Sequence, residues 1–339
     1  MQKISPRERI IRAIRQEPSD MIPWNIEMTA GFATNVSKMF PEEDPEDVLR
    51  NHMLRVKYKK NRLCENGESI DLFGVRWKKA EDGGDVGIVA QYPLEEMEAE
   101  LGDYRFPDIN VELANSICDR LESERNRFTM FSITMGFFER AWSLRGMENA
   151  LMDMVLEPGF TEELYDHILE HHMRLLDNIL ERNFDAIYFG DDWGQQQGLI
   201  MGPELWRRYI KPGVSKIFEK IKRKGKYVVL HSCGDLREIM PDLVEMGVDV
   251  YNTVQPEIYD LKKLKIEFGK DICFYGGIST QQFLPYAAPE EVEKKTLEVL
   301  RIMDGGGYIL SPTHAVTPDI PVENVLAMLR ANERYHGIL

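Results

Sequence analysis

From Phe128 onward, short apolar runs alternate with longer stretches in which apolar residues recur every three or four positions. The runs Phe128–Ile133, Ala186–Phe189, Lys226–His231, Val248–Asn252, Ile272–Tyr275 and Gly307–Leu310 are rich in β-branched and aromatic residues, as strands buried on both faces are. The stretches between them predict amphipathic helices. Thr161–Arg182 carries Leu164, Ile168, Leu175, Leu176 and Ile179 along one side. Ser215–Lys224 follows Pro212, Leu236–Met246 follows Asp235, and Pro289–Met303 and Pro321–Tyr335 open on proline, which suits a first turn. Strand then helix, repeated, implies parallel strands with right-handed crossovers. Ile22–Glu27 supplies a seventh strand, and the count favours a closed (β/α)8 TIM barrel in the α/β class over an open sheet. The eighth strand is not evident and is expected in the N-terminal part. No GxGxxG follows a strand, so a dinucleotide-binding sheet lacks its fingerprint.

Residues 28–125 break the alternation. Pro45–Tyr58 reads as a helix with Asp44 as its cap. Ser69–Lys79 and Val86–Tyr92 flank the turn sequence at 81–85 and read as a β-hairpin. This stretch is expected to be a helical and hairpin extension near the mouth of a single barrel domain spanning 1–339.

Composition narrows the class. The chain is 43% hydrophobic and 29% charged, an ordinary globular balance that excludes disordered and collagen-like chains. Its net charge of -15 and the lack of a basic stripe argue against nucleic acid and anionic lipid as partners. No apolar run approaches the roughly 20 residues of a membrane span, and the polar N-terminus does not read as a signal peptide. Cys64, Cys118, Cys233 and Cys273 show no disulfide spacing. A cytoplasmic protein is the expectation.

Catalytic groups of a (β/α) barrel sit past the carboxyl ends of its strands. There this chain places Asp191, Asp192 and Trp193, then His231 and Cys233, then Gln255 and Glu257, then Gly276 and Gly277, then His314. Residues two apart on an extended backbone point the same way, so His231 and Cys233 would face one point. Zinc accepts neutral imidazole and thiolate together. A buried histidine beside an inert cysteine is the rival reading of that pair. His314 is the best-placed third ligand, and the fourth position is a carboxylate (Asp191, Asp192 or Glu257), water or substrate. Cys273 opens its strand and is expected to pack low in the barrel. One of Asp191 and Asp192 is expected to cap a turn or pair with Arg145 or Arg207, the other to serve as an acid, a base or a substrate ligand. Glu139 and Arg140, past the strand Phe128–Ile133, could line the mouth, but read rather as a helix-surface ion pair. Trp24, Tyr188, Trp193 and Tyr275 would suit a flat apolar substrate, although such residues more often form core.

Gly202-Pro-Glu-Leu-Trp206, His231-Ser-Cys-Gly234, Tyr275-Gly-Gly-Ile278 and Gly306-Gly-Tyr-Ile-Leu-Ser-Pro-Thr-His314 occur in order. On these motifs the chain resembles the uroporphyrinogen decarboxylase superfamily, whose barrel fold agrees with the pattern above. The porphyrinogen decarboxylases of that group carry an arginine-bearing segment where this chain has Trp24-Asn-Ile-Glu-Met-Thr-Ala-Gly-Phe32, which holds no arginine. A polyanionic tetrapyrrole needs such cations. His231 and Cys233 match the zinc pair of the cobalamin-linked methyltransferase branch. His314 stands where that branch often has cysteine, and it also matches the histidine of the decarboxylase motif. One thiolate instead of two leaves zinc more positive and a better Lewis acid towards oxygen or nitrogen.

The resemblance therefore implies a zinc-dependent methyltransferase. Zn2+ would be held by His231, Cys233 and His314, with Asp191 or Asp192 on the donor heteroatom. A methyl group would pass from a small methylated donor, such as a methyl ether, to a corrinoid carried by a partner protein. Trp24, Tyr188, Trp193, Gln255, Glu257 and Tyr275 would bind substrate, and the group implies a homodimer. Two alternatives are a metal-free decarboxylase using an Asp and His314, and a non-catalytic barrel that binds a corrinoid or aromatic ligand.

Overall fold

A computed structural model describes residues 4–65, 67–78, 87–95 and 101–339. Its backbone is mixed α/β, with parallel strands and helices alternating in the TIM-barrel manner. Two compact units divide the chain: residues 1–54, 124–129 and 249–339 form one, and residues 55–123 and 130–248 form the other.

In the second unit, residues 130–133 of the strand Phe128–Ile133 lie beside Ala186–Gly190, and Ala186–Gly190 beside Tyr227–His231, all parallel. The segment entering Tyr58 runs along the other side of the first of these, where the Tyr58 N–H donates to the Ser132 carbonyl at 2.8 Å. Every residue of Phe128–Ile133 and Ala186–Gly190 is buried. In the first unit, Val250–Val254, Cys273–Ile278 and Tyr308–Pro312 are parallel neighbours. Trp24 and Met28 bridge to Leu310 and Val316, and the His52 N–H donates to the Trp24 carbonyl.

Pairing corrects several boundaries that periodicity drew. The helix expected over Pro45–Tyr58 ends at Leu49, because Arg50 adopts φ 49 in the left-handed region and stops it. Met53–Lys57 is a strand that the helix reading hides. Ile22–Glu27 is not a continuous strand; it pairs through an isolated bridge at Trp24, with a second just past it at Met28. Leu236–Met246 is broken into a 3-10 turn, Arg237–Ile239, and a short helix, Met240–Glu245. Pro289–Met303 is a helix over its expected span, and the helix behind Pro321 runs Val322–Tyr335.

The extension holds a four-stranded antiparallel sheet, and Arg76–Lys78 pairs with Ile88–Gln91 as the hairpin reading requires. Its central turn at 81–85 lies outside the described residues, as do Lys79 and Val86. The first expected strand is cut by a turn at Asp71, whose Oδ1 accepts from the Phe73 and Val75 N–H groups. Among the described residues no helix is long and apolar enough to cross a membrane.

Candidate metal centre and its surrounding acids

Two successive strand-end loops of the second unit are tied together by backbone hydrogen bonds beyond the strands themselves. The Asp191 N–H donates to the His231 carbonyl at 3.0 Å, Gly194 to Cys233 at 3.2 Å and Asp235 to Gln195 at 2.8 Å. This close approach explains the glycine of the His-Ser-Cys-Gly motif. Gly234 has φ +83, and a Cβ there would stand 2.2 Å from the Gly194 carbonyl carbon.

The ties hold His231 and Cys233 so that Nε2 of the imidazole faces Sγ at 3.7 Å. Both residues are half-buried. Two ligands on one tetrahedral zinc, with bonds of about 2.1 Å to nitrogen and 2.3 Å to sulfur, stand roughly 3.6 Å apart. The pair therefore fits a zinc ion in both spacing and donor chemistry.

The two aspartates have separate tasks. Asp191 is fully buried at the N-terminus of the helix Phe138–Arg145. Its oxygens accept from the Phe138 N–H at 2.9 Å, the Glu139 N–H at 2.8 Å and the Trp193 indole at 2.5 Å. Burial pushes its carboxyl up to about 6 against the pull of these donors. Asp192 is more open. Its Oδ1 accepts from the Cys233 N–H at 2.8 Å and lies 3.7 Å from His231 Nε2.

Neither aspartate takes the arginine partners that sequence suggested. Arg145 pairs with Asp153 on the next helix, and Arg207 with Asp242, 35 positions away in sequence. The Glu139–Arg140 surface pair is also corrected. Arg140 is buried and pairs with Asp71 at 2.9 Å, while the Glu139 carboxylate accepts from the Asp192 backbone N–H. Burial, then the charges of Asp192 and Asp191, push the Glu139 carboxyl well above its usual range. Of the two readings open for Glu139, a place lining the mouth or a helix-surface ion pair, its position in the first turn of the helix Phe138–Arg145 favours the first.

Burial also holds the Cys233 thiol high, followed by the charges of Asp192 and Glu139. A thiol among carboxylates stays protonated until a divalent cation reverses the local field, so this setting too suits a metal ion.

The expected substrate residues divide between packing and exposure. Trp193 is fully buried beneath Asp191, and Tyr188 is buried and stacks on His231 with ring centroids 5.9 Å apart. In the first unit the Trp24 indole donates to the Leu49 carbonyl and its ring lies 4.0 Å from that of His52. The Tyr275 hydroxyl accepts from Asn25 at 3.0 Å. Gln255 is buried and Glu257 is exposed. His314 is half-buried, two residues past the strand Tyr308–Pro312. Cys273 opens its strand and is fully buried.

Comparison with known proteins places this site in a family context. A family model described as Uroporphyrinogen decarboxylase (URO-D) matches residues 72–335. Methylcobamide:CoM methyltransferase MtaA of Methanosarcina barkeri is 24% identical over 176 residues, covering 52% of this chain and 49% of the relative. Methylated-thiol--coenzyme M methyltransferase of Methanosarcina mazei is 23% identical over 132 residues, covering 39% of this chain and 34% of the relative. The chain thus spans about half the length, or less, of these curated relatives. A solved structure described as a methyltransferase from Methanosarcina mazei shares the fold, with a TM-score of 0.77 at 18% identity over 98% of this chain and 100% of that one.

Proposed function

Because this chain belongs to the uroporphyrinogen decarboxylase (URO-D) family, we propose that it is the methyltransferase its curated relatives suggest. A methyl group passes from a small methylated donor, such as a methyl ether, to the reduced cobalt of a corrinoid protein. The observation that carries this reading is the 3.7 Å approach of His231 Nε2 to Cys233 Sγ. The names of relatives that act on methylcobamide and on methylated thiols support the reaction class.

In this reading His231, Cys233 and His314 hold Zn2+, which supplies Lewis acidity at the donor heteroatom. Asp192 fixes the Cys233 backbone through its 2.8 Å hydrogen bond and stands where it can hydrogen-bond the leaving group. Asp191 anchors the loop, since its carboxylate accepts from the Phe138 and Glu139 N–H groups and the Trp193 indole. Glu139 holds a proton close to Asp192 and can give it to the heteroatom. The methyl carbon–heteroatom bond breaks with its electron pair left on the heteroatom, which takes that proton as cobalt(I) receives the methyl group. The corrinoid protein docks over the strand ends, and the enzyme works as a cytoplasmic homodimer.

Elemental analysis of freshly purified protein, coupled to methyl transfer to cob(I)alamin from phenyl methyl ethers, methylamines and methanol, tests the proposal. One zinc per chain and turnover of a donor class support it. Metal-free protein that folds and still decarboxylates a porphyrinogen overturns it.

A further inference from the structure

Pro45–Tyr58 reads as a helix in sequence, but its second half is the strand Met53–Lys57. That change brings Arg55 to the proposed site. Its guanidinium carbon lies 4.2 Å from the centroid of the Tyr188 ring. The Tyr188 ring in turn stacks on the His231 imidazole, with centroids 5.9 Å and planes 22° apart. The cation is therefore within about 10 Å of the proposed zinc ligand, separated from it by one aromatic ring.

We propose that Arg55 is the specificity residue of this enzyme and receives a carboxylate on the methyl donor, so that the substrate class is small methylated carboxylic acids. The inference rests on the methyltransferase reading and narrows it.

Three observations support it. A guanidinium is a planar fork that matches a carboxylate through two parallel hydrogen bonds, and its stacking on Tyr188 orients the fork in advance. Its five N–H groups allow a carboxylate to be received alongside contacts the side chain already makes. Ser132 is level with Tyr188 in the neighbouring strand and is buried, with a hydroxyl that no protein group satisfies. A ligand oxygen is the acceptor such a hydroxyl lacks.

One aromatic ring with a methyl ether at one end and a carboxylate at the other would reach from His231 to Arg55.

Calorimetric binding of 4-methoxybenzoate and its neutral isostere 4-methoxybenzamide to the zinc-loaded protein tests this, with Arg55→Gln and Arg55→Lys beside the unaltered chain. Methyl transfer to cob(I)alamin is followed in parallel. The expected result is benzoate binding about tenfold tighter than benzamide, a preference lost in Arg55→Gln and partly kept in Arg55→Lys. Equal binding of the two probes, no binding of the benzoate, or a preference that survives Arg55→Gln overturns the assignment. The acid–amide comparison on the unaltered chain decides the matter even where Arg55→Gln does not fold. An Arg55-dependent preference without methyl transfer upholds the carboxylate seat and sinks the methyltransferase reading. Methyl transfer that is equally fast from both probes sinks the seat alone.

Discussion

Two histidine regions of the second unit show how one side chain serves opposite ends. His171 and His172 lie on the helix Pro158–Ile179, each 3% exposed. His172 Nε2 donates to the Gly136 carbonyl at 2.5 Å, and His171 Nδ1 donates to the Pro107 carbonyl at 3.2 Å. Burial holds both neutral, pushing them down to about 3 and about 4. His231 ends a strand instead, half-buried, with Nε2 turned towards a thiol. A ring nitrogen spent on a backbone carbonyl builds structure, whereas one aimed at sulfur is available to a metal ion. The atom each nitrogen meets decides the role.

The largest expected effect breaks the pair that faces sulfur. His231→Ala and Cys233→Ala should each drop zinc content from one per chain towards zero and lower methyl transfer by at least roughly 100-fold. Compared as metal-free protein, their thermal unfolding should change little, because both side chains are half-buried. Plasma emission spectrometry and the cob(I)alamin assay measure this, and retention of zinc in both variants would refute the ligand assignment.

His172→Ala should do the reverse. It removes a buried hydrogen bond and leaves a cavity, costing about 2–4 kcal/mol of stability with zinc content unchanged. Urea unfolding beside metal analysis checks both halves.

A smaller effect follows from pH. The unfolded chain binds protons at its histidines near 6.5, while folded His52 and His172 resist until about 3 and His171 until about 4. Between those limits the unfolded state holds more protons, so stability falls as pH falls, by up to about 1.4 kcal/mol per pH unit for each histidine. The loss begins below pH 6.5 and is complete once the folded histidines also titrate. A urea midpoint that stays flat from pH 7 to 5 would contradict neutral burial.

The smallest effect is expected from Asp108→Asn. That carboxylate is 97% exposed, and its 2.8 Å pair with Arg174 is screened by water. The unfolding midpoint should not move measurably, and a clear shift would mean that surface charge matters more than the buried histidines suggest.

Much of this was legible in the residues. Strand-end positions for Asp191, His231 and His314 followed from apolar runs that burial on both faces makes continuous. The shared direction of His231 and Cys233 followed from extended backbone, where neighbours two apart lie on one face. The roles of Asp191, Glu139 and Arg140 were less readable. Asp191 caps a helix 53 positions away in sequence, and Arg140 finds Asp71 at a separation of 69. Spacing carries no information about such partners.

The chain by itself determined the alternating strands and helices, the missing dinucleotide fingerprint and the histidine–cysteine pair, because each depends on residues within a few positions of one another. Tertiary structure alone decided that Met53–Lys57 is a strand, that the Glu139 carboxylate accepts from the Asp192 N–H and that Arg55 stacks on Tyr188. The physical reason is that a short segment of mixed polarity takes its conformation from the strand it pairs with. The direction of its side chains is fixed only once that neighbour is in place.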